Sequence, residues 1–109
     1  MEKTLSVYFW EYIVKEGFRE EFQRVYGPGG DWEQLFKKAD GYIKTDLHQD
    51  MSNKKRYLTI DYWSTNVHLD NFLIHYSKEY SLLDERCEKY TSQESLIGNF
   101  DLLNHSYPI

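Results

Sequence analysis

Cysteine and proline are scarce in this sequence of 109 residues, which contains one cysteine, Cys87, and two prolines. A single cysteine cannot form an intramolecular disulfide, which is typical of proteins from reducing compartments. Proline and the six glycines together are too few for a collagen-like or linker sequence. No apolar run approaches the ~20 residues of a membrane-spanning helix, and residues 1–3 do not begin a signal peptide. We therefore expect a cytoplasmic protein with no membrane partner.

An excess of basic charge is also missing, because 13 Lys and Arg residues face 18 Asp and Glu residues, for a net charge of -5. This balance argues against nucleic acid as a partner. Aromatic residues, in contrast, make up 17% of the chain, far too many for a disordered tail. The length fits one globular domain spanning residues 1–109, and its small core makes a homodimer the expected state.

Hydrophobic periodicity divides the chain into strands and helices. The predicted elements, in chain order, are a strand at 5–14, amphipathic helices from 18 and from 31, strands at 41–49 and 56–64, a long helical stretch from 66 and a strand at 94–103. Asp31 is the expected N-cap of the second helix, and the long stretch is either one kinked helix or two consecutive ones. This β-α-(α)-β-β-α-β order predicts an α+β, ferredoxin-like sandwich with an antiparallel sheet.

The strand at 56–64 has two different faces. Leu58, Ile60 and Tyr62 alternate with a polar and aromatic set that is typical of a pocket wall, namely Tyr57, Thr59, Asp61 and Trp63. The first strand is apolar on both sides. Because helices cover only one sheet face, we expect a second copy to cover the polar and aromatic face.

A set of short sequence segments extends over nearly the whole chain: YGPGGDWEQLF (26–36), YLTIDYWS (57–64), Gly41-Tyr42, Phe72, His75, Glu79-Tyr80, Leu83-Asp84, Cys87, Glu94 and Gly98-Asn99-Phe100. Together these segments resemble a branch of the antibiotic biosynthesis monooxygenase domain family. It implies a dimeric α/β barrel, in which the sheets of two ferredoxin-like protomers close around a cavity in each subunit.

The resemblance also implies a function, although the wider superfamily includes haem-degrading enzymes, quinol oxidases and proteins without known activity. In the monooxygenases a bound polyphenol loses a proton, its anion reacts directly with oxygen, and loss of water leaves a quinone. We therefore expect a cofactor-independent monooxygenase that oxidises a small aromatic compound. The alternatives are a non-catalytic, small-molecule-binding or stress-related dimer, and a purely structural dimer with a filled interior.

Asp61 and His48 are the candidate catalytic residues. Asp61 lies between aliphatic neighbours in its strand, where desolvation raises a carboxyl pKa towards that of a useful base. His48 shares a strand face with Asp46, so it is a candidate base or proton relay if that face points into the barrel. The alternative position for His48 is a solvent-exposed edge.

Trp63, Trp10, Tyr57 and His75 are the candidate substrate-binding residues. Trp63 either stacks on a planar substrate or belongs to the ordinary core. Trp10 is favoured over its neighbour Glu11 as cavity lining, because the two point to opposite faces of the first strand. Tyr57 shares the face of Asp61, and His75 faces the cavity mouth or has a structural role.

No residue pattern calls for a metal or a cofactor. His68 and His75 are seven residues apart on one predicted helix, about 10 Å along its axis, which is too far to share a metal. The resemblance places Leu82 where the haem-degrading members carry their axial histidine. Gly27–Gly30 lacks the Lys-Ser/Thr of a phosphate-binding loop, and Cys87 matches a small core residue.

Overall fold

A computed structural model describes residues 4–106 of the chain. Its elements are β1 (Leu5–Val14), α1 (Arg19–Tyr26), α2 (Asp31–Phe36), β2 (Tyr42–Gln49), β3 (Arg56–Trp63), α3 (Asn66–His75), α4 (Ser77–Cys87), a 3-10 helix (Glu88–Tyr90) and β4 (Thr91–Leu102). The expected domain limits, 1 and 109, and the expected absence of a signal peptide at residues 1–3 lie outside the described residues. No helix within residues 4–106 has the length and apolar character needed to span a bilayer.

The four strands form one antiparallel sheet in the order β2-β3-β1-β4. The central strands β1 and β3 pair along almost their whole length, from Ser6 opposite Trp63 to Ile13 opposite Arg56. β4 contains a bulge beside Gly98, because Phe9 pairs with Gly98 whereas Trp10 pairs with Leu96, which leaves Ile97 as an extra residue. This order and connectivity define a ferredoxin-like fold, so the predicted fold class is confirmed.

All of the core packing between sheet and helices lies on one sheet face. Trp63 and Tyr57 are almost fully buried there, since Trp63 contacts Phe36 of α2 and Phe72 of α3, and Tyr57 contacts Phe22 of α1. The polar and aromatic face of β3 is therefore covered by the chain's own helices. The expectation that a second copy covers this face is wrong, because strand alternation separates two faces without indicating which one the helices choose.

No helix within residues 4–106 covers the opposite sheet face. Five of its apolar side chains, on the two central strands, are partly buried: Phe9, Ile13, Leu58, Ile60 and Tyr62. Val7 on the same face is buried, and Phe100 of the edge strand β4 packs its ring against Phe9. In β2 the same face is polar, because Asp46 lies opposite Ile60 and His48 lies opposite Leu58. We refer to the five apolar residues as the outer sheet face.

A bulge near the start of β2 changes which residues share a face. Tyr42 pairs with Trp63 whereas Lys44 pairs with Tyr62, so Ile43 is an extra residue in the strand. Tyr42 therefore lies on the helix-covered face with Thr45. Simple alternation would place Tyr42 with Lys44 and His48, which is incorrect for this reason.

The structure shows how many helices follow residue 66 and which residue caps α2. The long stretch from residue 66 forms two helices that meet at Tyr76, where the backbone leaves helical geometry. Asp31 is the first residue of α2 and not its N-cap, a position that Gly30 occupies. Its carboxylate instead accepts a hydrogen bond from Arg86 and joins α2 to α4.

Candidate functional site

A cleft of about 540 Å³ opens between the helix-covered sheet face and the helices α3 and α4. Its described lining residues are Ser6, Tyr8, Trp10, Phe36, Asp61, Asn66, Leu69, Asp70, Leu73, Tyr80, Leu96, Asn99, Phe100 and Asp101. The lining combines aromatic rings with a small number of polar groups, which is typical of small-molecule sites. A pocket of this size does not fit the alternative of a structural dimer with a filled interior.

Asp61 lies at the floor of this cleft. Only 8% of its surface is exposed, and Thr45 on the adjacent strand donates a hydrogen bond of 2.7 Å to its Oδ1 atom. Burial raises the pKa of Asp61 to about 6, although the Thr45 hydrogen bond acts in the opposite direction. A carboxyl group with this pKa is ionised at neutral pH and can accept a proton there.

A short chain of hydroxyl groups supports the Asp61 carboxylate. Tyr42 donates a hydrogen bond of 2.9 Å to the Thr45 hydroxyl, which in turn donates to Asp61. Because the Tyr42 proton occupies an acceptor site of Thr45, the threonine proton is directed towards the carboxylate. Burial raises the pKa of Tyr42 to about 12, so its phenol remains a donor at neutral pH. Among residues 4–106, Thr45 is the one hydrogen-bond partner of Asp61, which leaves Oδ2 without such a bond.

A small inner chamber of about 40 Å³ adjoins the cleft. It shares Trp10, Phe36, Asp61 and Tyr80 with the cleft and is otherwise lined by Tyr12, Tyr26, Trp32, Thr45 and Thr59. Its volume is close to that of one or two water molecules. Asp61 therefore lies between a ligand-sized space and a space of solvent size.

Tyrosine hydroxyls supply further hydrogen-bond donors to the cleft. Burial raises the pKa of Tyr80 to about 12, with additional effects from Asp84, Glu94 and Asp61. The pKa of Tyr8 is raised by burial and by Asp70 and Asp101. Both phenols consequently stay protonated at neutral pH and can donate to an oxygen atom of a ligand.

Two of the six predicted site residues line the cleft, Asp61 and Trp10. The other two aromatic residues belong to the core. Trp63 is 1% exposed between the rings of α2 and α3, and Tyr57 is 2% exposed and accepts a hydrogen bond from Gln23. Neither lines the cleft, because the helices α1, α2 and α3 pack directly over these two ends of β3.

The two histidines lie away from the cleft. His48 is opposite Leu58 in the β2-β3 ladder, whereas Asp61 is opposite Thr45, so the two side chains are on opposite sheet faces. His48 is exposed and lines a small surface depression with Arg56, which corresponds to the solvent-exposed alternative. His75 is exposed at the end of α3, in a separate surface groove with His68. Neither histidine can exchange a proton directly with a ligand beside Asp61.

Sequence reasoning missed several cleft residues, including Tyr8, Tyr80 and Asn99. Tyr8 has the same strand parity as Trp10 and is opposite Asp61 in the β1-β3 ladder, so parity alone could have identified it. Tyr80 follows the helical apolar pattern and therefore looks like a core residue. Asn99 lies opposite Tyr8 only because of the bulge in β4, which alternation does not predict.

The described residues offer no evident metal centre. Within residues 4–106 no three His, Cys, Asp or Glu side chains are arranged so that they could hold one metal ion. Cys87 is buried, and burial raises the pKa of its thiol, so it is not poised as a nucleophile.

Comparisons with known proteins identify the fold. No family model matches the sequence, and a search of curated proteins finds no relative. SnoaB, a cofactor-independent oxygenase from Streptomyces nogalater, superimposes with a TM-score of 0.65 at 16% identity, over 97% of this chain and 99% of SnoaB. A protein from Bordetella bronchiseptica, provisionally described as an antibiotic biosynthesis monooxygenase, gives a TM-score of 0.71 at 17% identity, over 93% of this chain and 99% of that one.

A further solved structure, of a Nitrosomonas europaea protein of unknown function, gives a TM-score of 0.72 at 12% identity, over 100% of this chain and 99% of that one. Identities this low show a shared fold and not a shared activity. The chain has the fold of antibiotic biosynthesis monooxygenase domains, as the sequence resemblance implied.

Proposed function

We propose that the chain acts in the cytoplasm as a homodimeric, cofactor-independent monooxygenase that oxidises a small aromatic or polyphenolic compound in the cleft. The observation that carries this proposal is the buried Asp61 carboxylate at the floor of an aromatic cleft. Its pKa of about 6 suits a base that works at neutral pH. The fold shared with SnoaB, a cofactor-independent oxygenase, is consistent with this reading.

The proposed reaction starts with proton removal from an activated CH2 group or phenol by Asp61. For an anthrone-type substrate, the resulting carbanion transfers electrons to oxygen, and a C–O bond forms to give a hydroperoxide. The O–O bond then breaks, the second hydrogen of the CH2 group leaves as a proton, and one oxygen atom departs as water. The other oxygen atom remains as the new carbonyl of the quinone, so one oxygen molecule is consumed for each CH2 group oxidised.

The surrounding residues have distinct roles in this proposal. Thr45 holds the Asp61 carboxylate in place through its hydrogen bond. The phenol of Tyr80 and the amides of Asn66 and Asn99 are neutral donors that can stabilise the substrate oxyanion. The aromatic wall, which includes Trp10, accepts a planar ring.

The homodimer part of the proposal rests on the outer sheet face. Phe9, Leu58, Ile60 and their apolar neighbours form a continuous patch on the two central strands, which none of the described helices covers. Contiguous apolar surfaces of this kind are rare in monomers and mark interaction sites. A second copy packed sheet against sheet would cover both patches through a two-fold interface.

Oxygen uptake with an anthrone- or quinol-type substrate tests the enzymatic part. We expect uptake above the uncatalysed rate for the wild type and at least about a 100-fold lower rate for Asp61→Asn, because a general base contributes that much or more. His48→Ala is the matched control and should retain the wild-type rate. Absence of uptake by the wild type, or equal uptake by Asp61→Asn, would exclude this assignment.

A non-catalytic, ligand-binding dimer is the second candidate. The wide mouth of the cleft supports it, because Leu96 and Phe100 at the rim are 45% and 52% exposed and leave a ligand open to water. This candidate predicts that the same aromatic compounds bind without consuming oxygen. Calorimetry and oxygen uptake on the same compound therefore distinguish the two.

A further inference from the structure

The charged side chains of the cleft are all of one sign. Asp61 lies at the floor, and Asp70 of α3 and Asp101 of β4 lie at the exposed rim. Of the described residues that line the cleft, none is Lys, Arg or His. A cavity with low-dielectric walls and charges of a single sign concentrates ligands of the opposite sign.

The two rim carboxylates line the same cleft as Tyr8. Burial, and after it the charges of Asp70 and Asp101, raise the pKa of Tyr8. The two residues approach from different elements, since Asp101 lies opposite Ser6 in the β1-β4 ladder while Asp70 belongs to α3. A cation at the rim would therefore have a carboxylate on two sides.

Aromatic side chains beside Asp61, at the inner end of the cleft, have the same electrostatic preference for cations. Trp10 and Tyr80 line the cleft together with Asp61. The face of such a ring attracts a cation, and indole does so most strongly. Besides burial, the negative charges of Asp84, Glu94 and Asp61 raise the pKa of Tyr80.

The sheet register sets the distance between floor and rim. Asp61 of β3 is opposite Tyr8, and Asp101 of β4 is opposite Ser6, two residues before Tyr8 and across the other edge of β1. Two strand spacings of about 4.8 Å and two residue steps of about 3.4 Å place the Cα atoms of these aspartates about 12 Å apart. A phenol ring with a short amine arm spans this separation once each end adds a hydrogen bond of about 2.8 Å.

We propose that the cleft selects cationic aromatic amines, with the phenol hydroxyl at Asp61 and the protonated amine between Asp70 and Asp101. The inference rests on the proposed function, because it concerns the same cleft and the same carboxylate. It narrows the substrate class to aromatic compounds that carry a positive charge, and it disfavours aromatic carboxylic acids. The binding step requires no oxygen, so it can be measured apart from turnover.

The test compares three probes that share a phenol ring and differ in charge: tyramine, 4-propylphenol and 3-(4-hydroxyphenyl)propionate. Calorimetry under nitrogen at low ionic strength should give the smallest Kd for tyramine and the largest for the propionate, with a ratio of at least about tenfold. Added salt should reduce this ratio, because the rim carboxylates are exposed. Equal affinities, an inverted order or no binding of tyramine would overturn the inference.

Two variants locate the effect. Asp70→Asn with Asp101→Asn should abolish most of the tyramine advantage, whereas Glu20→Gln, an exposed carboxylate on α1 outside the cleft, should preserve it. Survival of the advantage in the double variant, or an equal loss in Glu20→Gln, would contradict the assignment. The two proposals can fail separately. Charge selectivity without oxygen uptake would support the cationic substrate class and contradict the monooxygenase function. Oxygen uptake with a neutral quinol, but without charge selectivity, would support the monooxygenase function and contradict the cationic substrate class.

Discussion

At the scale of single residues, Asp61 is the position where stability and chemistry conflict. The folded chain holds this carboxyl at a pKa of about 6, against 3.8 for an exposed aspartate. The folded state therefore binds more protons than the unfolded state between about pH 4 and pH 6. Its stability falls as the pH rises through that interval, by about 3 kcal/mol for this one group.

Asp61→Asn should therefore stabilise the protein at pH 8. Asparagine is neutral and keeps an oxygen that can accept the Thr45 hydrogen bond. We expect the free energy of unfolding to rise by up to about 3 kcal/mol at pH 8, and the difference from wild type to vanish near pH 4. Urea unfolding at both pH values measures this. Glu20→Gln should change stability by less than about 0.5 kcal/mol at either pH, and a destabilised Asp61→Asn protein at pH 8 would contradict the argument.

Thr45 should control the ionisation of Asp61. Its hydrogen bond favours the charged carboxylate, so Thr45→Val should raise the pKa of Asp61 further. Oxygen uptake at pH 6 should then fall about fivefold while the rate at pH 8 changes little. Thr45→Ser keeps the hydroxyl and should retain the wild-type pH dependence. An unchanged pH dependence in the valine variant would show that the bond does not matter for the base.

The residues of the site differ in how far the sequence predicts them. Asp61 and Trp10 are predictable because the alternation of side chains along their strands assigns each of them to one sheet face. The position of His48 is not predictable, because whether its side chain reaches the cleft depends on which face of the sheet the helices cover. Trp63 has the correct parity but lies under α2 and α3, and strand spacing carries no information about where a helix ends and a cleft begins.

At the scale of elements, the close contact between the start of β2 and α3 is the most demanding feature. Gly41 has a φ of +88°, and a Cβ atom there would collide with the ring of His68. That ring is fixed by a hydrogen bond of 2.8 Å between its Nδ1 and the Thr65 hydroxyl, at the N-cap of α3. The Gly41 carbonyl also accepts a bond of 2.7 Å from the Ser64 backbone N–H, so the turn cannot easily move away.

Gly41→Ala should therefore destabilise the fold by more than about 2 kcal/mol, which combines backbone strain with a steric clash. Gly17 is a matched control, because its φ is +87° but a Cβ there would meet nothing within 4 Å. Gly17→Ala should cost only about 1 kcal/mol. Urea midpoints of the two variants compare the costs directly, and equal losses would mean that the His68 contact is not restrictive.

Most elements are predictable from periodicity, and the exceptions have local causes. β1 matches its predicted bounds because ten residues without glycine or proline follow a strand composition. The start of β4 lies three residues before the predicted one, since Thr91 pairs with Val14 and Gln93 with Ile13 through backbone groups and not through apolar side chains, with Ser92 as an extra residue between them. The bulge at Ile43 also has no signal in the side-chain pattern.

At the scale of the whole molecule, the unequal sheet faces account for both the cleft and the proposed dimer. Helices occupy the face that contains Asp61, and the outer sheet face is left to a partner. The sequence predicts that one face needs a second cover, because both sides of β1 are apolar. It does not predict which face, since that choice depends on how the crossover helices pack after the strands have paired.

Ile60→Lys should convert the proposed dimer into a monomer. Ile60 lies at the centre of the outer sheet face, opposite Phe9, so a buried ammonium would be placed in the interface. Ile74→Lys is a matched control, because Ile74 is 71% exposed on α3. Sedimentation analysis should give a dimer for the wild type and for Ile74→Lys, and a monomer for Ile60→Lys. A monomeric wild type, or a dimeric Ile60→Lys variant, would contradict the proposed interface.

The central claim, that Asp61 is the base of an oxygen-consuming reaction, is tested most directly by the pH dependence of kcat/KM. The substrate should be one whose own ionisation lies well above neutral pH. We expect kcat/KM for oxygen uptake to rise with pH through a pKa of about 6 and to level off above it, and we expect Asp61→Asn to lose this rise. A wild-type profile that is flat between pH 5 and pH 8, or the same rise in Asp61→Asn, would contradict the claim.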